Sequence, residues 1–249
     1  MLSNFFKTAL RHFAQNKLYA SINIVGLAIG VSCMLLAILY WKDEHSFDQF
    51  HAKNPNIFRV TTTMTNRDNG ERNTTGETRQ VQGPAFKAAV PEVKDMVRLL
   101  GGDIMGDVRH DDEVLNLRML FADDDFFDVF SFPLLHGDAA ALKEINSVVL
   151  SEETALRFFH STDVVGKLLH LDADPSAERL GYKPMVVTGV TKKLPANSSI
   201  QFDVLLPLKF MQLSFEDPNW LGSYLGTFVV LAENADLQAV VQQFNAIHQ

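Results

Sequence analysis

The stretch LYASINIVGLAIGVSCMLLAILYW, Leu18 to Trp41, contains no charged side chain. A helix rises about 1.5 Å per residue, so about 20 apolar residues cross a hydrocarbon core about 30 Å thick. Ten Ile, Leu or Val residues fall between Ile22 and Leu39. At roughly -0.3 to -0.6 kcal/mol each they favour insertion by a few kcal/mol, less the cost of Asn23 and Ser32. A secretory signal ends its short apolar stretch in a small-residue cleavage site. Here the run continues past Gly30 and Ser32 into Met34 to Leu39, with no A-x-A pattern at its end. Residues 18–41 therefore read as a retained transmembrane helix, ahead of a cleaved signal or a buried core helix.

Tyr19, Tyr40 and Trp41 suit the two membrane interfaces. Lys7, Arg11 and Lys17 precede the span, while Lys42 and Lys53 follow it. The bias favours an N-terminus inside the cytoplasm, with the bulk of the chain outside. Before the span, Leu2, Phe5, Phe6, Ala9, Leu10 and Phe13 recur at helical spacing, with Lys7, Arg11, His12 and Gln15 between them. Residues 1–17 are expected to form an amphipathic helix on the cytoplasmic membrane surface; a basic topogenic leader is the alternative. Within the span, Gly26 and Gly30 form a small-xxx-small pair on one helix face. Missing side chains let a second helix approach closely, so this pair is the candidate packing site. Glycine is also common in membrane helices, and composition alone would account for it.

The formal net charge is -8, and three positive charges precede the span with no acid among them, so the rest carries -11. An acidic surface repels phosphate, which excludes nucleic acid as a partner. The single cysteine, Cys33, lies inside the apolar run, so no intramolecular disulfide is available. Residues 42–249 are long enough for one sizeable domain or two small lobes, and must stand on packing alone.

That domain alternates short strands and helices, an α+β pattern. Ile57 to Thr65 is strand-like. Residues 66–80, rich in Asn, Thr and Gly, read as an exposed loop. A short helix is expected from Gly83 to Val90, stopped by Pro91, and strands from Val93 to Leu100 and Glu113 to Ala122. Asp123, Asp124 and Asp125 precede Phe126 and read as helix capping, their charges complementing its dipole; they lack the spacing of a calcium loop. Ser147 to Leu150 is a strand, and Ser151 caps the next helix. Lys167–Ala173 and Met185–Val190 make a strand pair around a polar loop. Ile200–Leu206 and Thr227–Leu231 read as buried strands. Asp236 starts a helix with Leu237, Val240, Val241, Phe244 and Ile247 on one face. The chain ends within about a turn of that stripe and reads as incomplete at its C-terminus.

No catalytic constellation emerges. G-x-x-x-x-G-K-[ST], G-x-S-x-G and H-E-x-x-H patterns are all missing. His110 beside Asp111, Asp112 and Glu113 is the only dense titratable patch, and a solvated turn explains it. No catalytic residue, cofactor or metal ligand is assigned.

Several segments, taken in order, resemble the MacB-type permease family of ABC transporters and its periplasmic core domain. They run from Asn23–Gly30 through Glu44 and Phe47–His51, then Ile57–Val60, Pro91–Val93 with Arg98, and Asp125–Phe127. Phe130–Leu135, Gly137-Asp138, Ser147–Ser151, Ala155, Phe159 and Val165–Lys167 follow. Val187–Val190, Leu194-Pro195 and Ser198–Asp203 close the series. Order and spacing across nearly the whole chain carry the resemblance, since each piece alone is weak.

The resemblance implies one span in the bacterial inner membrane, then a mixed α/β periplasmic domain of two lobes over residues 42–249. Three further spans would follow. It implies a separate cytoplasmic ABC ATPase, received by the part of the permease beyond this chain, and pairing of permeases as a homodimer or heterodimer in the bilayer. The function implied is export or mechanical transmission driven by that ATPase. A membrane-tethered interaction or sensor module without transport is the alternative; nothing positive supports an anchored enzyme.

Overall fold

The computed structural model describes residues 11, 15–66, 69–171, 184–212 and 222–247. The amphipathic helix expected over residues 1–17 and the polar loop after Ala173 lie largely outside them. Two compact units are present, Met1–Phe47 and Asp48–Gln249.

In the first unit, α1 spans Lys17–Glu44. Every side chain from Ser21 to Trp41 is exposed. A core helix of a water-soluble protein would bury such a run, so this exposure suits lipid as the solvent.

The second unit begins with a 3-10 turn at Asn54–Asn56, then β1 (Ile57–Arg59), β2 (Thr62–Thr65), β3 (Arg72–Thr75) and β4 (Thr78–Arg79). Next come α2 (Gln82–Ala89), β5 (Val93–His110), β6 (Glu113–Ala122), α3 (Phe126–Val129), β7 (Leu134–His136), β8 (Ser147–Ser151) and α4 (Glu152–Phe159). The rest is β9 (Leu168–Leu171), β10 (Met185–Thr191), β11 (Val204–Pro207), α5 (Leu208–Gln212), β12 (Ser223–Leu231) and α6 (Leu237–Ile247).

Ten strands share one sheet in the order β1-β12-β5-β6-β11-β8-β10-β7, with β4 on β12 and β9 on both β10 and β5. That last pairing closes a circuit: β5 to β6, β11, β8, β10, β9 and back to β5 through Val108 opposite Leu171. Val148, Leu150, Leu169, Met185, Val204 and Leu206 fill one core on this ring, while Val149 and Leu205, one residue out of step, join another. The period of two along each strand sends alternate residues to opposite faces. Along β12 the first face divides again. Leu225 joins the ring core, while Val229 and Leu231 join a third cluster with Val93 and Val240 of α6. The mixed α/β domain thus has two parts on a shared sheet, a closed ring and an open wing under α6.

Several elements differ from expectation. The polar segment 66–80 is not wholly a loop: β2 and β3 pair as a hairpin, Thr62 opposite Thr75 and Thr65 opposite Arg72, with Gly70 at φ 72 in its turn. Its threonines are β-branched and polar: Thr63 and Thr74 bond across the hairpin at 2.9 Å on the exposed side, while Thr62 is buried. The strand expected over Ile57–Thr65 breaks at Val60 and Thr61 into β1 and β2. The strand expected from Val93 to Leu100 runs on to His110, through a bulge where the register shifts between Gly101 and Ile104. Gly101 has φ 98, and a Cβ there would sit 2.6 Å from the Met119 carbonyl oxygen. Only glycine lets the strand bend and continue at that point.

Candidate functional site

On α1, Gly26 and Gly30 lie one helical turn apart, and a Cβ built at either meets nothing within 4 Å. Cys33 and Ala37 continue the same face at helical spacing, so its side chains stay small for three turns. This open strip is flanked by exposed Ile22 and Ile29. At the C-terminal end, His45 Nδ1 lies 2.9 Å from the Trp41 carbonyl oxygen and its ring lies 4.3 Å from the indole.

The second unit opens on a tightly bonded turn. Asp48 takes the left-handed φ of 57. Its Oδ1 accepts from the Ser199 N–H at 2.9 Å and the Ser198 hydroxyl at 3.2 Å, while its own N–H donates to the Asn197 carbonyl at 3.0 Å. Two residues after Phe50's neighbour Gln49, His51 is only 4% exposed. Its Nδ1 accepts the Ser131 N–H at 3.1 Å, and the Ser131 hydroxyl accepts the Ala52 N–H at 2.9 Å. The rings of Phe50, Phe132 and Phe130 lie 4.0, 5.1 and 5.2 Å from the imidazole. Burial pushes the His51 imidazole below its ordinary pKa, and the Asp48 carboxylate opposes that shift. Three segments of the resemblance that are remote in sequence, Phe47–His51, Phe130–Leu135 and Ser198–Asp203, thus meet at one point.

The three adjacent aspartates do not act as a cap. Asp125 stands at the N-cap of α3 without a side-chain hydrogen bond to it. Each acid instead holds its own cation. Asp123 accepts from Arg98 Nη2 at 2.7 Å and Nε at 2.8 Å, and from the Arg98 backbone N–H at 2.8 Å. Asp124 accepts from Lys209 Nζ at 3.0 Å, and Asp125 lies 3.6 Å from Lys87 Nζ. Lys87 also donates to Asp95 at 3.1 Å, and Lys53 lies 3.5 Å from the other Asp95 oxygen. Burial pulls the Lys87 pKa down, but the hydrogen bond and charge of Asp95, then Asp125, outweigh it and leave it raised. These pairs tie β5, α2 and α5 to the turn before α3.

His110 closes the β5–β6 hairpin, where Asp111 has φ 51, and packs 4.4 Å from the Phe159 ring. Among the described residues no three His, Cys, Asp or Glu side chains are placed to hold a metal. A groove of about 600 Å³ runs between β1–β3 and α6, lined by Phe58, Val60, Leu237, Val241 and Phe244. Its walls are mainly apolar and threonine side chains with Arg59 and Arg72, a surface for contact rather than bond chemistry. The sequence offers the glycine pair as a candidate packing site and no role for Asp48, His51 or Arg98. The signal for the first two was a phenylalanine directly before each, Phe47 and Phe50.

The family described as MacB-like periplasmic core domain matches residues 20–247. No curated protein matches the chain. Among solved structures, the chain is similar to a domain of a protein assigned as a permease from Porphyromonas gingivalis. The two share 24% identity and a TM-score of 0.68 over 81% of this chain and 84% of that one. The extracellular domain of the noncanonic ABC-type transporter YknZ from Gram-positive bacteria gives 15% identity and a TM-score of 0.54, over 78% and 95% of the two chains. The periplasmic region of MacB from Actinobacillus actinomycetemcomitans gives 13% and 0.53, over 78% and 82%. At these identities the three structures speak for the fold.

Proposed function

The chain belongs to the family of MacB-like periplasmic core domains of ABC-type permeases, and from that premise we propose that it is a permease subunit, or the N-terminal part of one. In this reading a separate cytoplasmic ATPase hydrolyses ATP, and the permease carries the resulting movement to the periplasmic side. The N-terminus lies in the cytoplasm, α1 crosses the inner membrane, and Asp48–Gln249 works in the periplasm on an exported substrate or a partner. The observation that carries the reading is the extent of the family match, which takes in most of α1 and nearly all of the outer domain. The chemistry agrees, because the domain offers paired ions and apolar contact surfaces, and the ATPase supplies the bond breaking.

Two permeases pair, as a homodimer or heterodimer, through their membrane helices. The open Gly26–Gly30 strip supports this, because close backbone approach maximises dispersion where lipid removes the hydrophobic drive. The complete permease, affinity-captured from membranes in mild detergent, is expected to bring down an ATPase whose turnover rises in its presence. Capture of the intact permease with no ATPase, in cells that express both, would overturn the reading.

A further inference from the structure

A neutral imidazole that accepts a hydrogen bond at Nδ1 must carry its proton at Nε2. In His51 the Nδ1 position is taken by the Ser131 N–H. Its Nε2 is buried without a hydrogen-bond partner, 4.0 Å from Asp48 Oδ1 and beyond bonding range. Both residues line a cavity of about 190 Å³ with Asn54, Arg59, Ser199 and Phe228. A histidine so buried, aromatic-walled and only half bonded is poised between two states.

We propose that His51 is a proton-controlled latch on the segment through which the chain enters the outer domain. Neutral, it holds residues 50–52 against the turn at 130–132, beside the bonds by which Asp48 holds the turn at 197–200. Protonated, its Nδ1 carries a hydrogen that meets the Ser131 N–H donor to donor, so that bond is lost and the hold on the 130–132 turn weakens. Two charged side chains face the imidazole across the cavity: Asp48 favours the cation and Arg59 opposes it, while Lys53 is engaged by Asp95. The phenylalanine rings offer the cation no hydrogen-bond acceptor. Because the closed latch binds the proton more weakly than the open one, closure is fully present above the ordinary histidine value of about 6.5. It weakens about tenfold per pH unit below that, down to the lower value of the closed state. This goes beyond the permease reading and needs no particular orientation in the membrane, so either can fail without the other.

The test is NMR of the detergent-solubilised full chain, with labelled histidine and backbone amides, from pH 7.5 to 4.5. At pH 7.5 the His51 ring should show the Nε2–H tautomer and the Ser131 amide should be protected. On acidification His51 should titrate below 6.5, and Ser131 protection, corrected for intrinsic exchange, should fall at least tenfold. A His51 midpoint at or above 6.5, or unchanged Ser131 protection, overturns the latch. His51→Gln keeps an acceptor that does not titrate and should abolish the pH dependence at Ser131. Asp48→Asn removes the charge that holds the His51 pKa up and should move its midpoint lower still. An unmoved midpoint in that variant overturns the proposal even where His51→Gln does not fold.

Discussion

Three consecutive aspartates show how far one residue's role depends on its partner. Asp123 and Arg98 keep 15% and 11% of their side-chain surfaces exposed and join through two parallel hydrogen bonds. Arg98 also donates to the Gln80 carbonyl at 2.7 Å, so its donors are used on both sides. Removing one partner of a mostly buried pair strands the other charge, which costs about 3 kcal/mol. Asp123→Ala is therefore expected to destabilise the domain by about 3 kcal/mol in urea denaturation of the solubilised chain. Asp125→Ala, which removes a half-exposed carboxylate, should cost under about 1 kcal/mol. Equal losses at both positions would show that the burial of the Arg98 pair is not what matters. In the sequence the three acids look alike, and helix capping was the expected role of all three. Arg98 and Lys209 lie 25 and 85 residues from their partners, a separation that no local pattern reports.

At the scale of elements, legibility followed periodicity. The apolar helix α1, the helix after Val81, the strand pair β9–β10 and α6 were all expected close to their observed bounds. Ser151 caps α4 as anticipated, its hydroxyl accepting the Thr154 N–H at 3.2 Å. Asp236 does the same for α6 through the Gln238 N–H at 2.9 Å. The stripe on α6 is only partly covered, with Val240 buried and Leu237 and Val241 exposed. Of the hairpin at 62–75 it was the second strand, Arg72–Thr75, that was hidden, because it is polar throughout and gave no alternation of hydrophobicity. On α1 the glycine strip makes its own prediction. Gly26→Leu or Gly30→Leu should weaken helix–helix association, read as energy transfer between labelled permeases in vesicles, while leaving insertion intact. Unchanged association in both variants would reduce the pair to composition.

For the whole molecule, charge and topology must agree. The residues before the span are basic and those beyond it carry the acid, so protease shaving of intact spheroplasts should digest residues after Glu44 and spare the N-terminus. Digestion only after the membrane is opened from the cytoplasmic side would reverse the orientation and the permease reading with it. By itself the sequence determined the long apolar helix, the α+β character and the family resemblance, because hydrophobic length, strand alternation and motif order are local quantities. Only the tertiary structure decided that β9 closes a ring between β10 and β5, that one sheet carries both parts of the domain, and that His51 meets Ser131. Those facts depend on contacts between residues tens to more than a hundred positions apart, whose geometry arises when the cores pack and is written in no single stretch of the chain.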